Sequence, residues 1–256
     1  MAVLAHPDDE CLGIGGTLAR YASEGVETFL LTATRGDSGR YRGIPPGDAH
    51  HPGRAALARI REAELQAAAA VLGVHQVSLL DYRDQELDRA DPREIVPAIA
   101  AQMRRVRPDV VLTFAPDGAY GHPDHIAISQ FTAAAIVTAA DPAIRKLYYI
   151  AWPESTWTLF QKAFRQLVST VDGVERRVTP WPDWAITTEI DARPFWQTTW
   201  RAISCHESQV TAYERLQTLS PAEHEALWGR QGFYRVFSTV NGGRVRETDL
   251  FEGVPR

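Results

Sequence analysis

An α/β fold with a mostly parallel sheet, helices on both faces and a less regular C-terminal extension is what this sequence predicts, on three observations. Short apolar runs alternate with longer helical stretches through the first two-thirds of the chain, as repeated strand–helix–strand units do. Gly25 and Gly73 stand just past two of those stretches, where a left-handed residue ends a helix without Cβ strain. Hydrophobic residues make up 45% and charged residues 23% of 256 residues, enough apolar mass to fill the core of one large domain.

Taken in order, the apolar runs predict strands at Val3 to Ala5, Val26 to Thr34, Val74 to Leu80, Val110 to Phe114 and Leu147 to Trp152. Between them, helical spacing predicts helices at Cys11 to Glu24, Arg54 to Leu72, Arg93 to Val106 despite Pro97, and His125 to Ala139. From Trp152 onward, Pro153, Pro180 and Pro182 break the regularity. There the expectation is a strand at Ala185 to Ile190, a helix from Asp191 to about Tyr213 and a strand at Phe233 to Val240. With no internal repeat or low-complexity linker, residues 1–256 read as one domain, with a core at 1–152 and a part at 153–256 that shapes the substrate cleft.

The formal net charge of -5 lacks the basic surplus that binding a phosphate backbone requires, so nucleic acid is not an expected partner. Cys11 and Cys205 form no C-x-x-C pair and no disulfide framework, which fits a reducing compartment. No run approaches the roughly 20 apolar residues of a membrane helix, and if Met1 is the natural start no targeting segment precedes His6. A cytoplasmic protein without a membrane span is expected, and a homo-oligomer stays open.

Two clusters carry the chemistry. His6-Pro7-Asp8-Asp9-Glu10 follows the first strand and Gly121-His122-Pro123-Asp124-His125 follows the fourth. Strand-to-helix turns of an open parallel sheet lie at the carboxyl ends of the strands, where ligands bind, so distant clusters converge there. Each pairs potential ligands three residues apart around a proline that fixes the turn. One such motif reads as a helix-capping turn, but turn chemistry does not call for the extra histidines and acids found in two. Two histidines and a carboxylate match a catalytic zinc site with an open position, and the same trio suits ferrous iron. Asp8, His122 and Asp124 are left over to handle protons, and a histidine paired with Asp124 would favour its charged form.

The A-H-P-D-D-E opening and the G-H-P-D-H downstream resemble the PIG-L and LmbE-like family of zinc de-N-acetylases, which includes sugar deacetylases of the mycothiol and bacillithiol pathways. The resemblance extends through Ser204-Cys205-His206-Glu207-Ser208-Gln209, similar to a late H-x-S-Q element. It implies a Rossmann-like sheet and a zinc held by His6, Asp9 and His125, with iron or another divalent metal as alternatives. It also implies Asp8 as general base, and His122, tuned by Asp124, as oxyanion stabiliser or proton donor. Tyr120 would polarise the substrate carbonyl, while Arg61 and Asp84 would hold polar groups of the substrate. One departure is Gly36-Asp37-Ser38-Gly39, where relatives commonly carry a glutamate-glycine pair. His206 either lines the site or packs the C-terminal helix.

Other readings are weaker. No G-x-S-x-G elbow supports a serine hydrolase. The third glycine of a dinucleotide fingerprint would fall at Leu18, and the H-x-E and P-C-x-x-C ligands of a nucleobase deaminase are absent. A non-catalytic metal- and sugar-binding module would need the ligands but not Asp8. The expected substrate is a small N-acetylated compound, an N-acetylglucosamine-type conjugate, gripped by loops at 36–53 and 152–184. Trp152, Trp157, Trp181 and Trp184 are either stacking platforms for sugar rings or core.

Overall fold

The computed structural model describes the chain except residues 165–167, 172, 244 and 256, and describes 168, 169, 171, 210, 212 and 213 in the backbone alone. Those gaps put part of the 152–184 loop expectation outside the described residues. Five strands run parallel: β1 (Ala2–Leu4), β2 (Phe29–Thr34), β3 (Gln76–Tyr82), β4 (Val110–Phe114) and β5 (Lys146–Ala151). β1, β2 and β4 are buried almost throughout, which suits sheet faces covered on both sides. The helices that follow them are α1 (Asp9–Ser23), α2 (Arg54–Leu72), α3 (Pro92–Val106) and α5 (Pro123–Ala139), with a short kinked turn, α4 (Gly118–Gly121), before the last.

Strand order decides where a ligand can sit. Along the sheet it runs β3-β2-β1-β4-β5, and β9 (Arg230–Ser238) and β8 (Thr188–Asp191) then complete the seven-stranded sheet. Both are added antiparallel, β9 on β5 with Ile150 opposite Phe233, and β8 on β9 with Ile190 opposite Gln231. The chain therefore reverses its winding between β1 and β4. The loops leaving those two strands part there and open a crevice at their carboxyl ends, and they are the loops that carry the histidine motifs.

The expected strands and helices of the first two-thirds are all present, with ends shifted by up to three residues. The C-terminal part differs more. The continuous helix expected from Asp191 breaks into a 3-10 turn (Arg193–Phe195), α7 (Trp196–Ser204) and a further run of 3-10 turns (Glu207–Thr218). The break falls at His206, whose backbone leaves the helical region (φ -83, ψ 59) as its side chain turns inward. Elements not expected are α6 (Trp157–Ala163), the hairpin β6 (Val168–Val171) with β7 (Val174–Arg177), and α8 (Pro221–Trp228).

Candidate metal and catalytic site

Asp9 opens α1, and its Oδ2 accepts hydrogen bonds from the Ala5 and His6 backbone N–H groups at 3.2 and 2.8 Å. The turn after β1 is thus tied to the carboxylate that shares it. From the far side of the crevice His125, on the first turn of α5, brings its Nε2 to 3.1 Å from His6 Nδ1 and 3.4 Å from Asp9 Oδ1. His6 Nδ1 lies 3.7 Å from Asp9 Oδ2. These three separations bracket the roughly 3.3 Å expected between tetrahedral ligands on bonds of about 2.0–2.1 Å.

The ring orientations identify which nitrogens face inward. His6 Nε2 points at two carboxylates, Asp124 Oδ2 at 3.0 Å and Asp84 Oδ1 at 3.1 Å. A proton on Nε2 satisfies both, and Nδ1 is left facing His125 Nε2. Burial opposes charge on His6, but the hydrogen bonds and charges of Asp124, Asp84 and Asp9 outweigh it and raise the imidazole well above its ordinary value. His125 stacks flat on Phe114, with ring centres 3.9 Å apart, and its buried Nδ1 has no hydrogen-bond partner among the described residues. Two imidazole nitrogens and a carboxylate converge in this buried space, a donor set that fits a divalent metal.

Asp84 and Asp124 are themselves held. Asp84 Oδ2 accepts from Ser38 N at 2.9 Å, while Asp124 accepts from Gln85 N and Leu87 N at 2.8 and 3.1 Å. Asp37, the residue of the departing loop, accepts from Asp84 N and from Arg54 Nε. The carboxylates that orient a ligating histidine fix its tautomer and its ring plane together.

The pairing of Asp124 with His122 expected from the sequence is not what forms. Asp124 spends its carboxylate on His6, and His122 Nδ1 accepts the Asp124 backbone N–H at 3.2 Å as the cap of α5. Burial, then the neighbouring His6 and His125 rings, lower the His122 pKa to about 3. His122 is accordingly neutral near pH 7, with its proton on Nε2. Tyr120 packs edge-on to His122 and His125 at 5.7 and 5.5 Å, and burial followed by nearby carboxylates raises its phenol above the ordinary value.

Asp8 sits beside the ligands at φ 104, an unusual conformation for a residue with a side chain. Its carboxylate meets Arg61 Nη2 at 3.2 Å. Arg61 comes from α2, is 4% exposed, and donates to the carbonyls of Pro7 and Gly36 as well. Gly36 admits it: at φ +62 a Cβ there would come within 2.1 Å of the guanidinium. Arg61 and Asp84 were expected to grip substrate; both border the cavity, yet their charged atoms are engaged with Asp8 and His6.

The cavity has a volume of about 280 Å³. His6, Asp8, Asp9, Tyr120, His122 and His125 line it together with Leu12, Trp152, Phe160, Phe164 and Val178. Of the four tryptophans considered, Trp152 reaches it. Trp157 stacks on Phe160 at 5.4 Å, Trp181 packs on Tyr234, and Trp184 is 87% exposed. His206 is not among the described residues that border the cavity; it is buried against Glu10 of α1 at 2.8 Å. Glu10, which accepts the Asp8 backbone N–H, and Gln209, which borders the cavity, also belong to the surroundings of the site, and both lie inside the motifs that carry it.

Residues 1–136 match the family described as PIG-L, GlcNAc-PI de-N-acetylase. The chain is 36% identical to a 1D-myo-inositol 2-acetamido-2-deoxy-alpha-D-glucopyranoside deacetylase of Kineococcus radiotolerans, over 98% of this chain and 82% of that protein. It is 35% identical to the enzyme of the same name from Thermobifida fusca, over 98% of each. Among solved structures, an N,N'-diacetylchitobiose deacetylase from Pyrococcus horikoshii superposes with a TM-score of 0.65 at 21% identity, covering 92% of this chain and 82% of that one. A 4-carboxy-2-hydroxymuconate hydratase from Pseudomonas putida superposes equally well, at 0.65 and 21%, covering 94% and 97%. At that identity the superpositions establish a shared fold.

Proposed function

The chain belongs to the PIG-L family of de-N-acetylases, and from that premise we propose that it is a zinc-dependent hydrolase removing the acetyl group from an N-acetylglucosamine-type conjugate. Deacetylase activity follows from the family; the metal, the substrate and the residue roles are the proposal. A small glucosaminyl-inositol is the leading substrate, since relatives of about 35% identity that span the whole chain are named for it. The observation that carries the reading is the convergence of His6 Nδ1, Asp9 and His125 Nε2 within 3.1 to 3.7 Å, with the Asp8 carboxylate alongside.

His6, Asp9 and His125 would hold the metal, which when bound supplies Lewis acidity toward the acetamide carbonyl and the attacking water. Asp8, oriented by Arg61, takes the proton of that water as its oxygen adds to the carbonyl carbon. His122 donates from Nε2 to the oxygen that becomes negative, and the Tyr120 phenol, protonated at neutral pH, donates beside it. A neutral His122 is a poor source of a full proton. Asp8, protonated by then, is the group that returns one to the departing nitrogen, and acetate and the amine are released. Asp84 and Arg61 act as positioning residues for His6 and Asp8.

Residues 153–256 belong in this reading to the same domain as 1–152, since Trp152, Phe160, Phe164 and Val178 border the cavity and β8 and β9 extend the sheet. Cys11 and Cys205, both free thiols, support a reducing, cytoplasmic setting. No helix of the described residues is long and apolar enough to cross a membrane. The experiment is acetate release from N-acetylglucosaminyl-inositol and a panel of N-acetyl sugars, before and after chelation and with zinc or ferrous iron restored. Activity on the panel that disappears on chelation is expected; metal binding with no turnover of any N-acetyl compound would favour the non-catalytic module.

A further inference from the structure

Glu10 is the last residue of the first histidine motif, and the mechanism above gives it no part. Its side chain is fully buried, and both oxygens are in use. Oε2 accepts the backbone N–H of Asp8 at 2.9 Å, and Oε1 accepts from His206 Nε2 at 2.8 Å and from the Cys11 thiol at 3.0 Å. Burying a carboxylate is costly unless it is paired and hydrogen-bonded, so this one is fixed in place by what surrounds it. Asp8, meanwhile, holds φ 104, a conformation that persists in a side-chain-bearing residue when its surroundings over-determine it.

His206 lies 196 residues away in the chain, and the segment that carries it is anchored to a second helix. Ser208 donates to Glu64 from both N and Oγ, at 2.7 and 2.6 Å. Glu64 is on α2, one turn beyond Arg61, and Arg61 holds the Asp8 carboxylate. One late segment thus braces both grips on Asp8: the grip on its backbone through Glu10 and the grip on its side chain through α2.

We propose that Glu10, locked by His206, is a positioning residue for Asp8: it fixes the Asp8 backbone in its left-handed conformation so that the carboxylate faces the cavity. The inference rests on the reading of Asp8 as the general base. A displacement of about 1 Å at a reacting group costs on the order of 10²-fold in rate, which sets the scale to look for.

The test is a double-mutant cycle on the zinc-loaded enzyme, read as kcat, KM, metal content and melting temperature. Glu10→Leu removes the acceptor at nearly constant volume and is expected to lower kcat about ten- to hundredfold, with KM and metal content little changed. Glu10→Gln keeps one oxygen for the Asp8 N–H and is expected to restore most of that loss. In an Asp8→Asn background, Glu10→Leu should cost less than about twofold more, since residues acting as a unit are non-additive. Should Glu10→Leu fail to fold, His206→Asn frees the Glu10 carboxylate without altering α1 and is expected to lose about tenfold.

Full multiplicative losses in the Asp8→Asn background would overturn the inference and leave a structural pair. So would unmodified turnover in folded, metal-loaded Glu10→Leu or His206→Asn. A second metal per chain that disappears in His206→Asn would also overturn it, since Glu10, Cys11 and His206 would then be ligands. If Asp8→Asn itself keeps full activity, it is the general-base reading that fails.

Discussion

Asp8 and Asp9 are adjacent carboxylates that should fail differently when altered, because one faces Arg61 and the cavity and the other the imidazoles of His6 and His125. Asp8→Asn keeps shape and hydrogen-bonding capacity but cannot take a proton near pH 7. Metal content should hold while kcat falls about 10²–10⁴-fold, the usual contribution of a positioned base; equal turnover would remove Asp8 from the mechanism. Asp9→Ala should lose most of the bound metal, measured by elemental analysis, because two neutral ligands remain. Arg61→Ala and Asp84→Ala are expected to lower kcat more than they raise KM, since both act through groups of the site; a pure rise in KM would return them to substrate binding. That His6, Asp9 and His125 come together was legible in residue types and spacing. The partner of Asp124 was not, since spacing does not show which ring a carboxylate will face when His6 and His122 both lie within reach.

The helices and strands of the core were legible because each carries an apolar run or face with a stop signal at its end. Where local signals and tertiary contacts disagree, the contacts prevail: residues 191–213 have helical character, yet the buried pair of His206 with Glu10 ends α7 at Ser204. α8 is the opposite case, with its signal written in Ser220-Pro221-Ala222-Glu223. Ser220 Oγ accepts from Glu223 N, and Glu223 Oε2 accepts from Ser220 N, a full capping box with proline in the first turn. Ser220→Ala should cost about 1 kcal/mol of stability with kcat unchanged. A melting temperature that does not move would show that the cap is replaced by water.

The whole sheet is shared by a deacetylase and a hydratase among the structures it resembles, so its stability is a question separate from its chemistry. At the edge where the parallel core meets its antiparallel strands, Glu247 gathers a buried network. It accepts from Lys146 Nζ at 2.8 Å and Tyr148 Oη at 2.7 Å on β5, and from Thr188 Oγ1 at 2.6 Å on β8. Arg235 on β9 and Asn241 beyond it each donate at 2.7 Å. Burial alone would raise the Glu247 pKa, but the hydrogen bonds from Lys146, Thr188, Asn241 and Tyr148 lower it to about 2, against 4.5 for an ordinary glutamate. The folded value lies below the unfolded one, so the folded state binds this proton less readily. The stability from this group is therefore complete above about pH 4.5 and disappears as the pH falls toward 2. The span corresponds to on the order of 3 kcal/mol. Glu247→Gln should melt well below the unmodified chain at pH 7, because Lys146 is left buried beside a neutral partner. The gap between the two should narrow as the pH is lowered from 4.5 to 3. Melting curves on metal-free protein isolate this effect from the histidine site, and a gap constant across that range would show that Glu247 is not the acid-sensitive joint of the sheet.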